Sequence, residues 1–395
     1  MKIRFSYVVL MLVGTAESAV GQNAPDRYLF VWAGSTASDF LAVIDTEPTS
    51  PDYARVITTL PVGQGGTRPH HTDHQLAPDR QLWANGFDAG RTFRFDLSRP
   101  RTPRLLGHFD MAGEYMHPHS FAAIPGGNRL ATYQMRGHGN TRPGALAELH
   151  SDGTVVQTGN SKSGSAFIRP YSLAVVSYAG RVVTTSADMH GKEPSNFVQI
   201  WRQRDLKLLQ TVRLPQGPRG KEGTDPAEPR LLGDGATVMV NSFNCGLFLL
   251  SDLRKTNVKA RLVHDFGGGS QDCALPVVAG RYWVQTNANL PGLIALDVSD
   301  PERPREVSRL TLAPDMLVHW IALAPDGRRI VLSGGGGAMK QKVLMARIDP
   351  ATGALSLDRD FRAKGATSEG VSFSESDWPH GATGPAVPHG AVFSR

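Results

Sequence analysis

Short apolar runs separated by polar turns extend along most of the chain. In one unit near the C-terminus, apolar runs cover residues 320–324, 329–333, 343–348 and 355–359, and turn signals such as Pro325-Asp326-Gly327 lie between them. We find no long stretch with the 3.6-residue periodicity of an amphipathic helix. The pattern predicts an all-β protein, and the high content of Gly (42) and Pro (27) suits many tight turns.

The apolar runs repeat with a fixed period. Seven times, an apolar strand ends in a polar turn, and these endings recur roughly every 50 residues, the size of a four-stranded propeller blade. The seven endings are Ile44-Asp45, Phe95-Asp96, Leu149-His150, Trp201-Arg202, Leu250-Ser251, Leu296-Asp297 and Ile348-Asp349. The repeat predicts a seven-bladed β-propeller. Two stacked β-sandwiches are the alternative, but they would not explain one pattern repeated seven times.

The two ends of the predicted domain complement each other. Residues 28–33 and 40–44 resemble the second and third strands of a blade whose innermost strand is missing, whereas residues 389–395 form a lone strand. We therefore expect the final strand to complete the first blade and close the ring, which removes exposed sheet edges. The propeller domain is predicted to span residues 22–395.

The N-terminus predicts export. Lys2 and Arg4 precede an apolar run over residues 5–13 that is too short to cross a bilayer, and small residues follow. We expect a signal peptide over residues 1–21 and a periplasmic or secreted protein that has no membrane segment after cleavage; an uncleaved anchor is the alternative. In an oxidising compartment the two cysteines, Cys245 and Cys273, favour a disulfide over two separate buried thiols.

The charge distribution excludes one class of partner. The net charge is +6, but the lysines and arginines are scattered and not interleaved with aromatic residues, so no nucleic-acid partner is expected. The glycine run 334–337 lacks the residues of a phosphate loop and is predicted to be a turn. The sequence gives no signal for an oligomeric state.

Histidines recur where the innermost strand of a blade begins. His71, His119, Tyr171 and His319 each precede an apolar residue of the next strand by the same number of residues, and the lone final strand begins at His389. Because innermost strands line the central channel, we expect these histidines to converge at one mouth of it. Imidazole is a common ligand of copper, zinc and iron, so a metal site is predicted there. Three carboxylates could orient the rings from outside, namely Asp73, Glu114 and Asp377.

Several motifs resemble those of the selenium-binding protein and methanethiol oxidase family from about Pro61 to Arg395. They are Pro69-His70-His71, His117-Pro118-His119-Ser120, Arg169-Pro170-Tyr171-Ser172, residues 294–304, residues 343–357 and Pro388-His389-Gly390. The resemblance implies a propeller fold, a copper cofactor and the metal ligands His70, His71, His119 and His389. The family's cysteine pair after the double histidine is absent here, because Thr72, Asp73 and His74 follow instead, and this departure does not favour selenium binding.

The resemblance also implies an activity. Members of the family oxidise methanethiol with oxygen and water to formaldehyde, hydrogen sulfide and hydrogen peroxide. We therefore expect a copper-dependent oxidoreductase acting on a small thiol with oxygen, and we predict catalytic roles for His319, as the preferred base, and for His117. The alternatives are a non-catalytic metal- or ligand-binding platform and a hydrolase that uses a metal-bound water.

Overall fold

The computed structural model describes residues 27–137, 143–164, 166, 168–189, 194–269 and 272–395. Within these ranges the chain forms strands and turns, one 3-10 turn at Ser177–Ala179, and no α-helix. No helix of this part of the chain has the length and apolarity needed to cross a membrane. The predicted signal peptide, residues 1–21, lies outside the described residues.

The strands are numbered in chain order. The first eleven are β1 (Tyr28–Gly34), β2 (Phe40–Asp45), β3 (Val56–Pro61), β4 (Pro69–Thr72), β5 (Gln81–Gly86), β6 (Arg91–Asp96), β7 (Arg104–Phe109), β8 (Tyr115–Ala123), β9 (Arg129–Arg136), β10 (Ala145–Leu149) and β11 (Val155–Asn160). The next twelve are β12 (Leu173–Val176), β13 (Arg181–Thr184), β14 (Phe197–Arg202), β15 (Lys207–Arg213), β16 (Pro226–Leu231), β17 (Val238–Ser242), β18 (Gly246–Leu250), β19 (Ala260–Asp265), β20 (Pro276–Ala279), β21 (Tyr282–Asn287), β22 (Gly292–Asp297) and β23 (Arg305–Thr311). The last ten are β24 (Met316–Leu317), β25 (Trp320–Leu323), β26 (Arg329–Ser333), β27 (Gly336–Gly337), β28 (Lys342–Ile348), β29 (Leu355–Leu357), β30 (Val371–Ser372), β31 (Asp377–Trp378), β32 (Gly381–Ala382) and β33 (Val387–Phe393).

These strands build seven antiparallel blades, so the predicted all-β propeller is confirmed. From the innermost strand outward the blades are β33-β1-β2-β3, β4-β5-β6-β7, β8-β9-β10-β11, β12-β13-β14-β15, β16-β17-β18-β19, β20-β21-β22-β23 and β25-β26-β28-β29. We number them 1 to 7 in that order. Each of the seven repeating sequence endings lies at the end of the third strand of a blade. The shared period therefore reflects a shared place in the blade.

The ring closes as the two chain ends predicted. In blade 1, β33 pairs antiparallel with β1, with Leu29 opposite Phe393 and Val31 opposite Ala391. The Ser394 N–H continues the pairing by donating to the Tyr28 carbonyl at 2.8 Å. The last strand of the chain is thus the innermost strand of the first blade, and the ring has no open edge at that seam.

Large aromatic side chains fill the layers between neighbouring blades. Trp32 of blade 1 packs on Phe93 and Phe95 of blade 2, with ring centroids 5.3 and 5.6 Å apart, and Trp83 of blade 2 packs on Phe121 of blade 3. Burial of a large apolar side chain stabilises a fold by roughly 1.5–3 kcal/mol. The outermost strands instead alternate partly buried and exposed residues, as in β7. The packing therefore fixes each innermost strand firmly against the channel.

The innermost strands of five blades share one local arrangement. The backbone N–H of an entrance residue donates to an Asn or Thr side chain of the second strand, at 2.6–3.1 Å. The donors are His71, Ser120, Ser172, Glu228 and Ala274. The residue immediately before each donor therefore occupies the same position in each of these blades. By this criterion His70 is equivalent to His119 and Tyr171.

The grouping of His71 with His119 and Tyr171, expected from sequence spacing, is therefore wrong by one residue. Thr72 pairs with Ala84, twelve residues later, whereas Phe121 pairs with Ala131, ten residues later. The connection from β4 to β5 is therefore two residues longer than the one from β8 to β9, so a count back from an apolar residue of the second strand does not reach equivalent positions in the two blades.

The predicted disulfide is confirmed. Cys245 and Cys273 are bonded, with their Cα atoms 5.1 Å apart, and both residues are fully buried. The bond joins the turn between β17 and β18 in blade 5 to the segment that leads into β20 in blade 6.

Candidate metal centre

Five imidazoles from four adjacent blades converge at one end of the channel. His70 and His71 belong to β4 of blade 2, His119 to β8 of blade 3, and His389 to β33 of blade 1, while His319 immediately precedes β25 of blade 7. The His70 ring centroid lies 4.3 Å from that of His389, 4.7 Å from His71, 5.1 Å from His119 and 5.9 Å from His319. All four ligands expected from the resemblance are brought together, and His319 joins them.

Backbone carbonyls fix two of the rings. The His119 Nδ1–H donates to the Tyr171 carbonyl at 2.9 Å, and the His389 Nδ1–H donates to the His70 carbonyl at 2.7 Å. Because a carbonyl oxygen can only accept, the proton of each neutral ring lies on Nδ1 and the lone pair on Nε2. Ser120 Oγ contacts Nδ1 of both His71 and His119, at 3.0 and 3.1 Å. These contacts orient the rings as outer partners orient metal ligands.

The predicted orienting carboxylates act elsewhere. Asp73 Oδ2 accepts the backbone N–H of Trp83 at 2.9 Å, Glu114 pairs with Arg136, and Asp377 is exposed in β31. The hydroxyl of Ser120 and the backbone carbonyls of Tyr171 and His70 orient the rings instead. Sequence reasoning could not select them, because every residue has a carbonyl and only the fold decides which ones face an imidazole.

Nε2 is left without a protein partner in four of the buried rings. These nitrogens belong to His70, His71, His119 and His319. A buried polar atom with no partner costs about 1–3 kcal/mol, and four of them so close together are a large cost for the fold. A transition-metal ion accepts such lone pairs, and copper, zinc and iron favour imidazole. The donor set therefore fits a metal ion.

The imidazoles are neutral, as metal ligation requires. Burial lowers the pKa of His119 to about 3 and that of His319 to about 4. Burial, together with the neighbouring imidazoles, also holds the pKa values of His70, His71 and His389 well below the usual 6.5. At neutral pH none of the five rings carries a second proton, so each keeps one nitrogen lone pair.

The five rings divide into two triads. Among the described residues, ligand atoms lie within 4.8 Å of one another in the group His70, His71 and His119 and in the group His70, His319 and His389. We call the first the inner triad and the second the mouth triad. The quartet expected from the resemblance does not form a single group, because His389 belongs with His319 and not with His71 and His119. His70 is common to both triads.

A third group consists of His71, His74 and Glu228. The Glu228 carboxylate is fully buried, and it pairs with Arg230 at 2.7 Å and lies 3.4 Å from His74 Nε2. An Arg230 guanidinium nitrogen is also 3.4 Å from both nitrogens of His74. The guanidinium already balances the carboxylate, so this group is an ion-pair network beneath the cluster.

Glu228 is a residue that sequence reasoning missed. It occupies the same entrance position in blade 5 as His71 does in blade 2, because both donate their backbone N–H to an Asn of the second strand. Its signal in the sequence is Glu228-Pro229-Arg230, an acid and a base near the start of a predicted innermost strand.

His117 lies apart from the cluster. Its Nδ1–H donates to the Phe87 carbonyl at 3.0 Å, and it belongs to none of the three groups. The backbone at His117 is left-handed, with φ of 57°, whereas His119 two residues later follows the strand. This local turn of the chain separates two histidines that are almost adjacent in sequence.

The mouth triad forms the floor of a cavity of about 810 Å³. Tyr171, Phe243 and Met189 line its wall, and Phe243 stacks on His319 with ring centroids 6.4 Å apart. The first glycine of the 334–337 run also lines this cavity: a Cβ on Gly334, whose φ is +68°, would lie 3.1 Å from the His389 ring. The turn therefore needs glycine beside the imidazole.

A second cavity of about 700 Å³ occupies the other end of the channel. Its wall is mainly apolar, and His74 and Arg230 are among its few polar residues. The innermost strands begin at the first cavity and end at the second, so the two cavities lie at opposite ends of the channel. Trp320 stacks on His74 and meets His71 edge-on, at centroid distances of 5.1 and 4.9 Å, and these rings separate the cavities.

Known proteins share this sequence pattern and fold, although no protein-family profile matches the chain. A curated methanethiol oxidase from Hyphomicrobium sp. is 27% identical over 339 residues, which cover 77% of this chain and 74% of that protein. One from Ruegeria pomeroyi is 25% identical over 349 residues, 78% of each chain. The resemblance to the selenium-binding protein and methanethiol oxidase family is confirmed. The similarity to methanethiol oxidases supports an oxidoreductase of this family.

A solved structure gives independent support for the fold. The X-ray structure of a hypothetical selenium-binding protein from Sulfolobus tokodaii matches with a TM-score of 0.75, covering 94% of both chains at 15% identity. At this identity the likeness shows the propeller alone. Evidence about function comes instead from the similarity to the methanethiol oxidases and from the imidazole cluster.

Proposed function

We propose that this chain is a copper-dependent oxidoreductase of the methanethiol oxidase type, which oxidises a small thiol with dioxygen. For methanethiol, one molecule each of the thiol, dioxygen and water gives one molecule each of formaldehyde, hydrogen sulfide and hydrogen peroxide. The observation that carries the proposal is the set of four buried Nε2 atoms without a protein partner, gathered beside a cavity. The similarity to methanethiol oxidases supplies the reaction and the thiol.

The imidazoles of the two triads are the residues that would hold copper. Bound copper would supply a soft acceptor for thiolate sulfur and a one-electron redox couple. His119 and His389 present Nε2 because carbonyls hold their Nδ1–H groups, and Ser120 keeps the His71 ring in place. The protein thus provides a set of rings with fixed orientation, which limits reorganisation when the metal changes its oxidation state.

The cavity above the mouth triad would hold the thiol. Its floor consists of imidazole nitrogen donors, while Phe243 and Met189 give it an apolar wall that suits the carbon end of a small thiol. The catalytic roles of His319 and His117 stay predictions. His319 has an unpartnered Nε2 at the cavity floor, whereas the Nδ1–H of His117 is engaged by the Phe87 carbonyl. His319 is therefore the stronger base candidate of the two, but its Nε2 cannot both bind copper and take a proton, so loss of copper in His319→Ala would make His319 a ligand and end its assignment as the base.

We also propose that residues 1–21 are a signal peptide and that the domain 22–395 acts in the periplasm or outside the cell. The disulfide supports this proposal because such bonds persist in oxidising compartments. N-terminal sequencing of protein recovered from the periplasm or medium tests it. A mature chain that still begins at Met1 would contradict it.

Oxygen consumption by copper-loaded protein tests the proposed function. We expect uptake of oxygen that depends on methanethiol and releases hydrogen sulfide, and we expect His70→Ala, which removes the imidazole common to both triads, to abolish it. His150→Ala is the matched control, since His150 is exposed and its ring contacts the Asn128 side chain, away from the cluster. Copper-loaded protein that leaves oxygen unconsumed would refute the oxidase. In that case ester cleavage without thiol would indicate a hydrolase, and inactivity in both assays would indicate a binding platform.

A further inference from the structure

Five imidazoles cannot all be ligands of one ion in this arrangement. Metal–nitrogen bonds are about 2.0–2.1 Å long, so two ligand atoms of one ion lie at most about 4.2 Å apart. Among the described residues, no group of three or more ligand atoms within 4.8 Å of one another combines His71 or His119 with His319 or His389. A single ion would therefore leave at least two of the converging imidazoles without a metal.

The two nitrogens of His70 serve different triads. His70 Nδ1–H donates to His389 Nε2 at 3.1 Å, because the proton of His389 lies on its own Nδ1, so the Nδ1 edge of the His70 ring faces the mouth triad. His70 Nε2 is buried without a partner. In the inner triad, Ser120 and the Tyr171 carbonyl engage Nδ1 of His71 and His119, so both rings are left with Nε2 as the ligand atom. His70 Nε2 then completes that set.

We propose that the chain binds two transition-metal ions, one in each triad, with His70 between them as an imidazolate whose Nδ1 proton leaves to solvent when the second ion binds. The proposal rests on the proposed function for the identity of the metal as copper, but the two sites follow from the nitrogen donors. They differ in access: His70, His319 and His389 line the cavity, whereas His71 and His119 do not. The mouth ion would meet the thiol, and the inner ion would lie behind it, out of reach of the cavity.

If there are two sites, a substitution in one triad should remove one ion and leave the other bound. Metal-free protein is equilibrated with Cu(II), dialysed, and analysed for copper per chain and for the number of spins by electron paramagnetic resonance. We expect about two copper ions per chain but a smaller spin count, because two Cu(II) ions that share an imidazole couple magnetically. His119→Ala should remove only the inner ion and His319→Ala only the mouth ion, leaving about one copper whose spin count equals its content. His150→Ala should retain two.

The outcomes separate this proposal from the proposed function, because no thiol and no turnover are involved. A wild-type chain that saturates at one copper ion overturns the two-ion proposal and leaves the oxidase intact. The two-ion proposal is also overturned if His119→Ala and His319→Ala each lose all copper while circular dichroism shows that both variants are folded. Both histidines would then belong to one shared site. If either alanine variant unfolds, His119→Gln and His319→Gln replace it. Loss of one copper ion in each variant supports the proposal even if methanethiol is not a substrate.

Discussion

Glu228 holds a negative charge in the interior, and its removal should cost stability in a way that depends on pH. The carboxylate is fully buried, and its Oε2 accepts from Ser172 Oγ at 2.5 Å and from Arg230 at 2.7 Å. Burial by itself raises the pKa of Glu228, but Arg230, His74 and Ser172 together hold it at about 2, below the usual 4.5. The folded state therefore favours the ionised carboxylate.

The size of the effect follows from this pKa. At about 1.4 kcal/mol for each pKa unit, the difference between 4.5 and about 2 corresponds to about 3 kcal/mol of folding free energy. Since the pKa is lower in the folded than in the unfolded chain, the contribution is complete above pH 4.5. It is lost as the pH falls toward 2. Breaking a buried pair commonly costs about 3–5 kcal/mol, which agrees with this magnitude.

Urea unfolding of wild type and Glu228→Gln at several pH values measures the effect. We expect the variant to be less stable by about 3 kcal/mol at pH 7, and the difference to shrink between pH 4.5 and pH 3. Glu375→Gln is the matched control, because Glu375 is exposed, and it should change stability little. A difference that stays the same at every pH would refute the reasoning, since the loss would then come from packing and not from the charge.

Three further changes test other parts of the molecule. Ser120→Ala removes the hydroxyl that orients His71 and should lower copper affinity about 10–100-fold in a competition titration; unchanged affinity would show that the hydroxyl does not orient the ring. Tyr171 lines the cavity, and its buried hydroxyl has no protein partner, so we expect it to donate a hydrogen bond to a ligand bound there, for which azide on the copper is a probe. Tyr171→Phe should then keep the copper content and weaken azide binding about tenfold, and equal azide affinity would contradict this donor role. Replacing Cys245 and Cys273 together by serine should lower the free energy of unfolding by about 2–4 kcal/mol, as measured by urea unfolding. An unchanged urea midpoint would show that the disulfide does not stabilise the fold.

The repeat along the chain predicts most of the fold. Seven strand endings of one kind appear because the third strand of every blade meets solvent at the same place, and the missing and surplus strands at the two ends complement each other. The convergence of histidines from blades 1, 2, 3 and 7 also follows from the repeat, although the repeat selects His71 where the backbone makes His70 the equivalent of His119. These features are local and periodic, so a single sequence contains them.

The division of the site does not follow from the sequence. The equivalence of His70 with His119 depends on the longer connection from β4 to β5, and the separation of His117 from His119 depends on one left-handed residue. The grouping of His389 with His319 depends on distances between the neighbouring blades 1 and 7. Each of these three placements is decided by the path of the backbone, which cannot be read from the identities of the side chains.

The closing strand has a consequence for the order of events in the cell. His389 lies on β33, which forms the last segment of the chain and seals blade 1 against β1. A nascent chain therefore lacks this imidazole until all the other described strands have been synthesised, and a chain with an open seam cannot bring it to His70. Any ion that binds through His389 favours the sealed ring over the open one. Occupancy of the mouth triad would thus report that blade 1 is closed.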